Sequence, residues 1–442
     1  MKVGFISLGC SKNQVDTEYM MGDLKRRGFE LVTKASQADV VIVNTCGFIL
    51  DAKNEAIETI LEIAGLKESG SLQVLIAAGC LAQRYPEDLM QEIPELDGVI
   101  GVGDIHKLPV VLDRCLKGER VIEVPGWTPA YTEQGQRILS TPHGWAYLKI
   151  SEGCSNRCTY CAIPNIRGPH RSRPLDELTR EAEQLSAQGV KELIIIGQDT
   201  TAYGLDYAEK SLLGELMDKL SHTAGIEWLR LMYAHPSRIN SEFTEWMTIP
   251  KVVPYLDMPA QHASDEILRR MGRRYGNKDL YSAVELLRTR VPSITLRTTL
   301  MTGFPGETER DHKENVKFLT TVEFDWAGVF SYSEEDGTKA CQFGDNVPYE
   351  IKKAREDELM ALQKKITESK NLKRVDNTSR VIIEQKSGRF QYTGRTAFQA
   401  PDIDGVTIVN SSEKLEVGEL VDVRLESAEG YDLIAYIEAG NS

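Results

Sequence analysis

Three cysteines lie within eight residues of one another, and this spacing constrains the chain more than any other feature. They occur in the segment Gly153-Cys154-Ser155-Asn156-Arg157-Cys158-Thr159-Tyr160-Cys161. Three thiolates in one short loop can hold three irons of a [4Fe–4S] cube and leave the fourth iron open to a small molecule. A structural zinc ion usually takes four ligands from separate segments, and inert buried thiols seldom cluster in this way. The spacing therefore favours an iron–sulfur cluster with one open iron.

A second set of three cysteines is spread over the first part of the chain. Cys10, Cys46 and Cys80 each end an apolar run, and each is predicted to open a helix. In an open parallel sheet the carboxyl ends of the strands line one edge, so the three thiols can converge there. Each cysteine alone could equally be a small buried residue, but three in the same position favour a second cluster site. Cys115 and Cys341 are assigned structural roles.

The composition limits the compartment and the partners. The chain has 442 residues, a formal net charge of −14 and a pI of about 5.2, which argues against a general nucleic-acid coat. No stretch approaches the roughly 20 apolar residues of a membrane span, and Met1 leads directly into a strand pattern rather than a signal peptide. Eight cysteines in this length do not make a disulfide scaffold. We therefore expect a cytoplasmic protein with no membrane partner.

Alternating apolar runs and helical patterns predict an α/β protein of three domains. Residues 1–135 predict an open, Rossmann-like α/β domain, and residues 126–143 predict a linker. Residues 140–375 contain six strand–helix units, which predict a partial (β/α)6 barrel with an open side. Residues 376–442 predict a small antiparallel, OB-like β-barrel, with short strands at 380–384, 407–409 and 420–425. The six strands of the partial barrel are predicted at residues 146–150, 193–196, 228–232, 252–257, 294–300 and 326–331.

The residues that follow the strands of the partial barrel are candidates for binding, because active sites of such barrels lie at the carboxyl ends. Asp199 follows the second strand and could accept a hydrogen bond from an ammonium group, although a turn-forming aspartate is an equal alternative. Gln261 follows the fourth strand and is a candidate cofactor-binding residue. Gly303, after the fifth strand, would let the backbone approach a flat ligand such as adenine.

The motifs resemble those of the radical S-adenosylmethionine (SAM) methylthiotransferase family over nearly the whole chain. The tail resembles the TRAM domain of that family. The other segments that carry the resemblance are Leu8-Gly9-Cys10-Ser11-Lys12-Asn13, Asn44-Thr45-Cys46, Gly79-Cys80, residues 151–164 and residues 303–308.

This resemblance implies a transferase with two [4Fe–4S] clusters and SAM as cofactors. Cys10, Cys46 and Cys80 would bind the auxiliary cluster, and Cys154, Cys158 and Cys161 would bind the SAM cluster. One SAM would methylate sulfur associated with the auxiliary cluster, and another would yield the radical that abstracts hydrogen from an unactivated C–H bond. The carbon would then take the methylthio group. We expect a monomer that uses an external electron donor and sulfur source, and we assign no catalytic residue beyond the clusters.

Two basic clusters lie near the predicted sites. Each would ordinarily be a solvated face, but their positions give an equal alternative, in which they bind the SAM carboxylate or an acidic substrate. The first consists of Arg167, His170, Arg171 and Arg173, and the second of Arg269, Arg270, Arg273 and Arg274.

Two branches of the family differ in substrate. One modifies adenosine beside the anticodon of tRNA, and the other modifies the β-carbon of an aspartate in small-subunit ribosomal protein twelve. The opening motif at residues 7–13 and the segment Pro259-Ala260-Gln261-His262 resemble the second branch. Residues 380–442 carry six Lys and Arg against eleven Asp and Glu, a net charge of −5, which suits a basic ribosomal protein and would repel tRNA.

We interpret the chain as a member of the second branch, acting on the free ribosomal protein or on the ribosome. The alternative within the family is tRNA modification. An alternative outside it is an iron–sulfur protein that serves as a scaffold without catalysis, and this leaves the open iron without a purpose.

Overall fold

The computed structural model describes residues 1–68, 70–103, 105–124, 126 and 135–437. The predicted linker at 126–143 lies partly outside the described residues, and its described part from 135 to 143 has no helix or strand. Contacts between residues divide the chain into two compact units. Unit 1 comprises Met1–Ser140, Ser151–Pro174 and Ser333–Gln342, and unit 2 comprises Thr141–Ile150, Leu175–Tyr332 and the chain from Phe343 onward.

The first part of unit 1 is a six-stranded parallel sheet with helices between its strands, as predicted. The strand order β2-β1-β3-β4-β5-β6 reverses direction between β1 and β3, which is where ligands bind in doubly wound sheets. β3 and β4 are buried along their whole length. The elements are β1 (Lys2–Ser7), α1 (Ser11–Arg26), β2 (Glu30–Val32), β3 (Val40–Thr45), α2 (Leu50–Glu68), β4 (Val74–Gly79), α3 (Cys80–Arg84), α4 (Pro86–Glu92), β5 (Gly98–Ile100), α5 (Leu108–Cys115) and β6 (Val121–Glu123).

The middle of the chain contains the six predicted barrel strands, each within two residues of its predicted ends. They form one open parallel sheet in unit 2, here called the partial barrel, in the order β14-β13-β12-β11-β10-β7. The elements from here to the tail are β7 (Trp145–Lys149), β8 (Ser151–Glu152), α6 (Ile163–Ile166), β9 (Arg171–Ser172), α7 (Leu175–Ala187), β10 (Glu192–Ile196), α8 (Leu213–Ser221), β11 (Trp228–Leu231), α9 (Ser241–Trp246), β12 (Val252–Asp257), α10 (Asp265–Arg270), α11 (Asn277–Arg290), β13 (Thr295–Thr302), α12 (Glu309–Val322), β14 (Trp326–Ser331) and α13 (Tyr349–Leu372).

The tail forms a closed five-stranded barrel, here called the C-terminal barrel. Four neighbouring strand pairs are antiparallel, as predicted, but β17 and β19 run parallel. The wholly antiparallel prediction is wrong at this pair, since an odd number of strands cannot alternate in direction around a closed ring. The strands are β15 (Thr378–Lys386), β16 (Gln391–Thr396), β17 (Thr407–Asn410), β18 (Leu420–Glu429) and β19 (Asp432–Tyr436).

A buried ion network joins the C-terminal barrel to the partial barrel within unit 2. The Glu192 carboxylate on β10 accepts hydrogen bonds from Arg230 Nε and Arg395 Nη2, each at 2.7 Å. Arg395 on β16 also donates to Glu384 Oε1 at 2.6 Å. Glu192, Arg230 and Arg395 are at most 1% exposed. Two guanidinium groups and two carboxylates therefore compensate one another where water would otherwise solvate them.

A second charged group at this junction surrounds Asp404, in the loop between β16 and β17. Tyr255 Oη donates to Asp404 Oδ2 at 2.7 Å, and Arg297 Nε lies 3.4 Å from Asp404 Oδ1. Burial raises the pKa of Asp404 to about 6, although Arg297 acts in the opposite direction. Hydrogen bonds and charged groups thus hold the C-terminal barrel to the partial barrel.

Among the described residues, none of the helices combines the length and apolar character that a membrane crossing requires.

Candidate metal centre

The first three cysteines lie at the carboxyl ends of three neighbouring strands, β1, β3 and β4. Cys10 precedes α1 directly and Cys80 is the first residue of α3, as predicted. Cys46 does not open a helix, because α2 begins only at Leu50. The intervening loop lets Cys46 follow its strand and still turn along the edge of the sheet.

The three thiols are close enough to influence one another. A Cβ atom on Gly9 would lie 3.1 Å from Cys46 Sγ, and Gly9 has a φ of +86°, so only glycine fits next to Cys10. Burial raises the pKa of Cys80 to about 12; Arg167 opposes this effect, and the Cys10 and Cys46 thiols add to it. Burial also raises the pKa of Cys46. Of the three cysteines only Cys80 is fully buried, and Cys10 is exposed. Neighbouring thiols that would repel one another as thiolates fit a cationic iron–sulfur core.

Asn13, in the first turn of α1, connects the loops that carry these cysteines. Its side chain is fully buried. Asn13 Nδ2 donates to the Leu8 carbonyl at 3.0 Å and to the Thr45 carbonyl at 2.9 Å. Cys80 Sγ lies 3.5 Å from Asn13 Oδ1. One amide side chain therefore fixes the spacing of all three cysteine-bearing segments, a role that the sequence motif did not reveal.

The second three cysteines lie in the loop between β8 and α6, which also belongs to unit 1. Cys154, Cys158 and Cys161 are partly exposed. Gly153 has a φ of +76°, and a Cβ atom there would lie 2.2 Å from the Pro169 carbonyl oxygen. The Cys154 amide donates to the Gly168 carbonyl at 3.1 Å. The loop is thus folded tightly against the chain that leaves it, and its partly exposed thiols suit a cluster that must meet a small molecule.

Within the described residues, no group of three His, Cys, Asp or Glu side chains is arranged to hold a single metal ion. Cysteine ligands of a cubane each bind a different iron and so stand apart from one another. The assignment of the six cysteines to two clusters accordingly stays a prediction, supported by the placement of each set.

The first predicted basic cluster is buried, so the alternative of a solvated face is wrong for it. Arg167 and Arg173 are each 1% exposed. Arg167 donates to Glu152 Oε2 at 2.8 Å, to Asp16 Oδ2 at 3.0 Å and to Asn13 Oδ1 at 2.5 Å. These partners lie on β8 and α1, far apart in sequence, and so Arg167 could not be placed from its local pattern.

The segment at residues 333–342 packs against both cysteine-bearing regions of unit 1. Glu335 Oε2 accepts from Lys53 Nζ at 2.9 Å and from Arg84 Nη1 at 2.8 Å. Arg84 also donates to the Gly47 carbonyl, next to Cys46, at 2.7 Å. The Ala340 amide donates to the Thr159 carbonyl at 2.8 Å, between Cys158 and Cys161. Sequence reasoning missed this segment, because nothing local marks it as part of either site.

Asp199 lies three residues past the end of β10 and is 2% exposed. Its carboxylate accepts from Arg238 Nη1 at 2.6 Å and from Thr201 Oγ1 at 2.5 Å. Thr201 Oγ1 in turn accepts from the His235 amide at 3.2 Å. These contacts match the turn-forming alternative and add an ion pair that ties the second strand end to the third. A role of Asp199 towards an ammonium group stays a prediction.

His235, after β11, is held neutral by its surroundings. Burial first, and then the charge of Arg273, lower its pKa to about 3, with Asp199 acting in the opposite direction. Arg273 Nη1 lies 2.9 Å from His235 Nε2. Because a guanidinium can only donate, Nε2 accepts this hydrogen bond and the ring proton sits on Nδ1, which is 2.8 Å from Ser237 Oγ. Arg273 and Arg238 thus give this end of the partial barrel a cationic character.

Two residues that follow barrel strands have left-handed backbones without being glycine. Tyr233, after β11, has a φ of 60°, and Gln261, after β12, has a φ of 71°. The Gln261 backbone bonds to Thr299 and Met301 of β13 at 2.8 and 2.7 Å. Backbone strain of this kind concentrates at binding and catalytic sites, so it supports the predicted importance of this edge.

Gly303 has a φ of +69°, as the prediction of a close backbone approach requires. The neighbour that approaches is a side chain of the protein, since a Cβ atom at Gly303 would lie 2.2 Å from Lys352 Cγ. The glycine is thus explained by packing against α13. Contact with adenine at this position stays a prediction.

The second basic cluster is mixed. Arg269 is exposed and pairs with Glu266 on the same helix at 2.6 Å, so the solvated-face interpretation fits it. The Arg270 guanidinium lies over the ring of Phe343, 5.3 Å from its centre. Arg273 bonds to His235, so Arg270 and Arg273 contact groups from other elements of unit 2, whereas Arg269 pairs within its own helix.

Three family models match the chain. The model described as Uncharacterized protein family UPF0004 matches residues 2–101, the Radical SAM superfamily matches residues 148–319, and the TRAM domain matches residues 375–437.

Curated relatives match over nearly the full length. The chain is 50% identical to the ribosomal protein uS12 methylthiotransferase RimO of Syntrophomonas wolfei, over 98% of this chain and 99% of the relative. It is 44% identical to the protein of the same name from Clostridioides difficile, over 98% of both chains.

Solved structures share the fold at low identity. The radical SAM methyltransferase TsrM from Kitasatospora setae superposes with a TM-score of 0.55 at 15% identity, covering 74% of this chain and 72% of that chain. The cobalamin-dependent SAM radical enzyme OxsB gives a TM-score of 0.56 at 15% identity, covering 83% and 56%. At these identities the likeness shows the fold alone.

Proposed function

The chain belongs to the family of ribosomal protein uS12 methylthiotransferases, RimO, and from this membership we propose that it transfers a methylthio group to uS12, at the β-carbon of an aspartate. It is a radical SAM enzyme that uses SAM and an iron–sulfur cluster. The observation that carries the proposal is the 50% identity to a RimO relative over 98% of the chain. The two cysteine sets and the acidic C-terminal barrel are consistent with it.

We assign two clusters to two sets of ligands. Cys10, Cys46 and Cys80 would hold an auxiliary [4Fe–4S] cluster at the edge of the first sheet, where three loops meet around Asn13. Cys154, Cys158 and Cys161 would hold the SAM cluster. When bound, the SAM cluster would supply the electron that cleaves SAM, and the auxiliary cluster would supply the site of sulfur delivery.

The residues of the chain would bind and orient the reactants. We propose that Asp199, which follows β10 and accepts from Arg238, also accepts a hydrogen bond from the SAM amino group. Arg238 and Arg273 provide positive charge for a carboxylate, either that of SAM or that of the substrate aspartate. His235 stays neutral here and can hold a proton on Nδ1 without adding charge.

The acidic C-terminal barrel supports a protein substrate. Residues 380–442 have a net charge of −5, which attracts a basic ribosomal protein and repels the phosphates of tRNA. We propose that uS12 is recognised in this way in the cytoplasm, free or within the ribosomal subunit, by a monomer with domains at 1–135, 140–375 and 376–442. An external electron donor and sulfur source complete the reaction.

An anaerobic assay tests the proposal. The reconstituted enzyme would receive SAM, a low-potential reductant and a sulfur source, with purified uS12 and bulk tRNA offered separately, and mass spectrometry would read the products. A methylthio mass gain on an aspartate peptide of uS12 supports the proposal, whereas a gain on tRNA adenosine alone contradicts it. Cys158→Ala should abolish SAM cleavage and Cys46→Ala should abolish methylthio transfer. Turnover by either variant at the normal rate would contradict its assigned cluster.

A further inference from the structure

Arg167 connects the two cysteine sets within unit 1. The residue follows α6, just after the second set, and its guanidinium reaches back to α1, which begins directly after Cys10 of the first set. Nη2 donates to Asn13 Oδ1 at 2.5 Å and to Asp16 Oδ2 at 3.0 Å, while Nη1 donates to Glu152 at 2.8 Å. The side chain is 1% exposed. The position of the guanidinium is therefore fixed by partners on α1 and on β8.

The guanidinium also lies close to a thiol of the first set. Asn13 Oδ1, which accepts from Arg167 Nη2, lies 3.5 Å from Cys80 Sγ, so one amide oxygen contacts both the guanidinium and that thiol. Cys80, Val102, Ala162 and Ile166 form a small buried apolar cluster, so this contact lies in a medium of low polarity.

A fixed cation close to a ligand sulfur has a known consequence for an iron–sulfur cluster. Reduction adds an electron to the cluster, and a nearby positive charge stabilises the more negative, reduced form. Hydrogen bonds to the sulfurs and the local net charge are the principal means by which proteins set cluster potentials. A carboxylate at the same distance has the opposite effect, and Asp16 and Glu152 therefore offset part of the influence of Arg167.

We propose that Arg167 is a positioning residue that raises the reduction potential of the auxiliary cluster, and that the Asp16 carboxylate lowers this potential and so offsets part of the effect. The inference rests on the proposed function, because it takes Cys80 as a ligand of that cluster. Arg167 is thus not the binder of a SAM or substrate carboxylate, since protein carboxylates already occupy its guanidinium. It belongs to the auxiliary site although it lies next to the SAM-cluster loop in sequence.

Midpoint potentials test the inference. The full chain carrying Cys154→Ala, Cys158→Ala and Cys161→Ala would hold the auxiliary cluster alone, and redox titration followed by electron paramagnetic resonance would give its potential. Arg167→Gln should shift the potential to a more negative value, and Asp16→Asn should shift it to a more positive value. Arg167→Lys, which keeps the charge but not the forked geometry, should lie between Arg167→Gln and the parent.

The two opposite shifts keep the test decisive. If Arg167→Gln does not fold, Asp16→Asn still reports on the same charge balance and removes only one negative charge. Arg395→Gln is the matched control, because Arg395 is equally buried and also bound by two carboxylates; it should leave the potential unchanged. If neither Arg167→Gln nor Asp16→Asn shifts the midpoint potential, the inference about Arg167 is wrong, and the proposed function is unaffected. A parent protein that binds no cluster would overturn the proposed function together with it.

Discussion

Arg167 in unit 1 and Arg395 in unit 2 are both 1% exposed, and each guanidinium is bound by two carboxylates. The remaining contacts differ. Arg395 also donates to the Gln399 carbonyl at 3.1 Å, and its partner Glu192 is shared with Arg230, so it joins one barrel to the other. Arg167 instead donates to Asn13 Oδ1, which also contacts the Cys80 thiol. Burial and ion pairing occur in both networks, and a predicted metal ligand beside the network distinguishes the functional one.

Glu192→Gln should give the largest effect and should confine it to stability. It would leave Arg230 and Arg395 buried with one charge fewer between them, which should lower the free energy of unfolding by about 3–5 kcal/mol. Chemical denaturation would measure the loss, and iron content per chain should not change. Glu227→Gln, which breaks a half-exposed pair with Arg380, should cost less than about 1 kcal/mol. A loss of iron in Glu192→Gln would erase the distinction between the two networks.

Asp404 should make the junction between the barrels sensitive to pH. Burial raises the pKa of Asp404 in the folded state from 3.8 to about 6. At a pH between these two values, the folded chain therefore keeps a proton on Asp404 that the unfolded chain has released. The stability contributed by this group is therefore present at low pH and is lost as pH rises from about 4 to 6, by at most roughly 3 kcal/mol.

Denaturation of Asp404→Asn across this range would check the expectation. Relative to the natural chain, the variant should become more stable as pH rises from about 4 to 6, because it carries no charge to bury. The exposed carboxylate of Asp422 provides the control, and Asp422→Asn should show no such trend. A constant difference between Asp404→Asn and the natural chain would contradict the expectation.

Asn13→Ala should affect both stability and iron. It removes the bonds to the Leu8 and Thr45 carbonyls, at a cost of about 2–3 kcal/mol, and frees the loops that carry the auxiliary ligands. Iron analysis should show roughly half the content of the parent, because the SAM cluster keeps its own ligands. Asn371→Ala removes a fully buried asparagine of unit 2 bonded to the Tyr431 carbonyl, and it should lose stability with full iron. Equal iron in both variants would contradict the role of Asn13.

Glu335→Gln should give the smallest effect. It removes the charge shared by Lys53 and Arg84 but keeps a hydrogen-bond acceptor, so the free energy of unfolding should fall by about 1–2 kcal/mol. Limited proteolysis should cut residues 333–342 faster than in the natural chain. Glu119→Gln, at a half-exposed pair with Arg114, is the control and should leave the cleavage rate unchanged. Unaltered cleavage in Glu335→Gln would show that this ion pair does not fasten the segment.

The partial barrel was predictable because its strands are buried in a parallel sheet and so appear as continuous apolar runs. The strands of the C-terminal barrel were less predictable from the sequence. Its strands β16, Gln391–Thr396, and β19, Asp432–Tyr436, were missed, since β16 contains a polar run and Arg395. Only the partner Glu192, distant in sequence, explains why Arg395 lies inside. The local pattern therefore could not predict β16, whose burial depends on a charge.

The positions of the cysteines at strand ends were likewise predictable from the apolar runs that precede them. The groups that orient the cysteines were not predictable in this way. Asn13 bonds residues of the same and of a distant loop, and Arg167 reaches Asp16 over a separation of 151 residues. Glu335 meets Arg84 over 251 residues. Such pairings depend on the folded path of the chain, and a basic run at 167–173 gave no sign that it is buried.

The path of the chain has a consequence for how the protein can be dissected and made. The chain passes between the two units after Ser140, Ile150, Pro174, Tyr332 and Gln342. A fragment that ends at residue 140 would lack α6 and Glu335, and no single cut yields a complete unit 1. During synthesis the first sheet can assemble early, as N-terminal regions generally do. The site around its cysteines is finished only when Gln342 has left the ribosome, so iron loading should follow the synthesis of most of the chain.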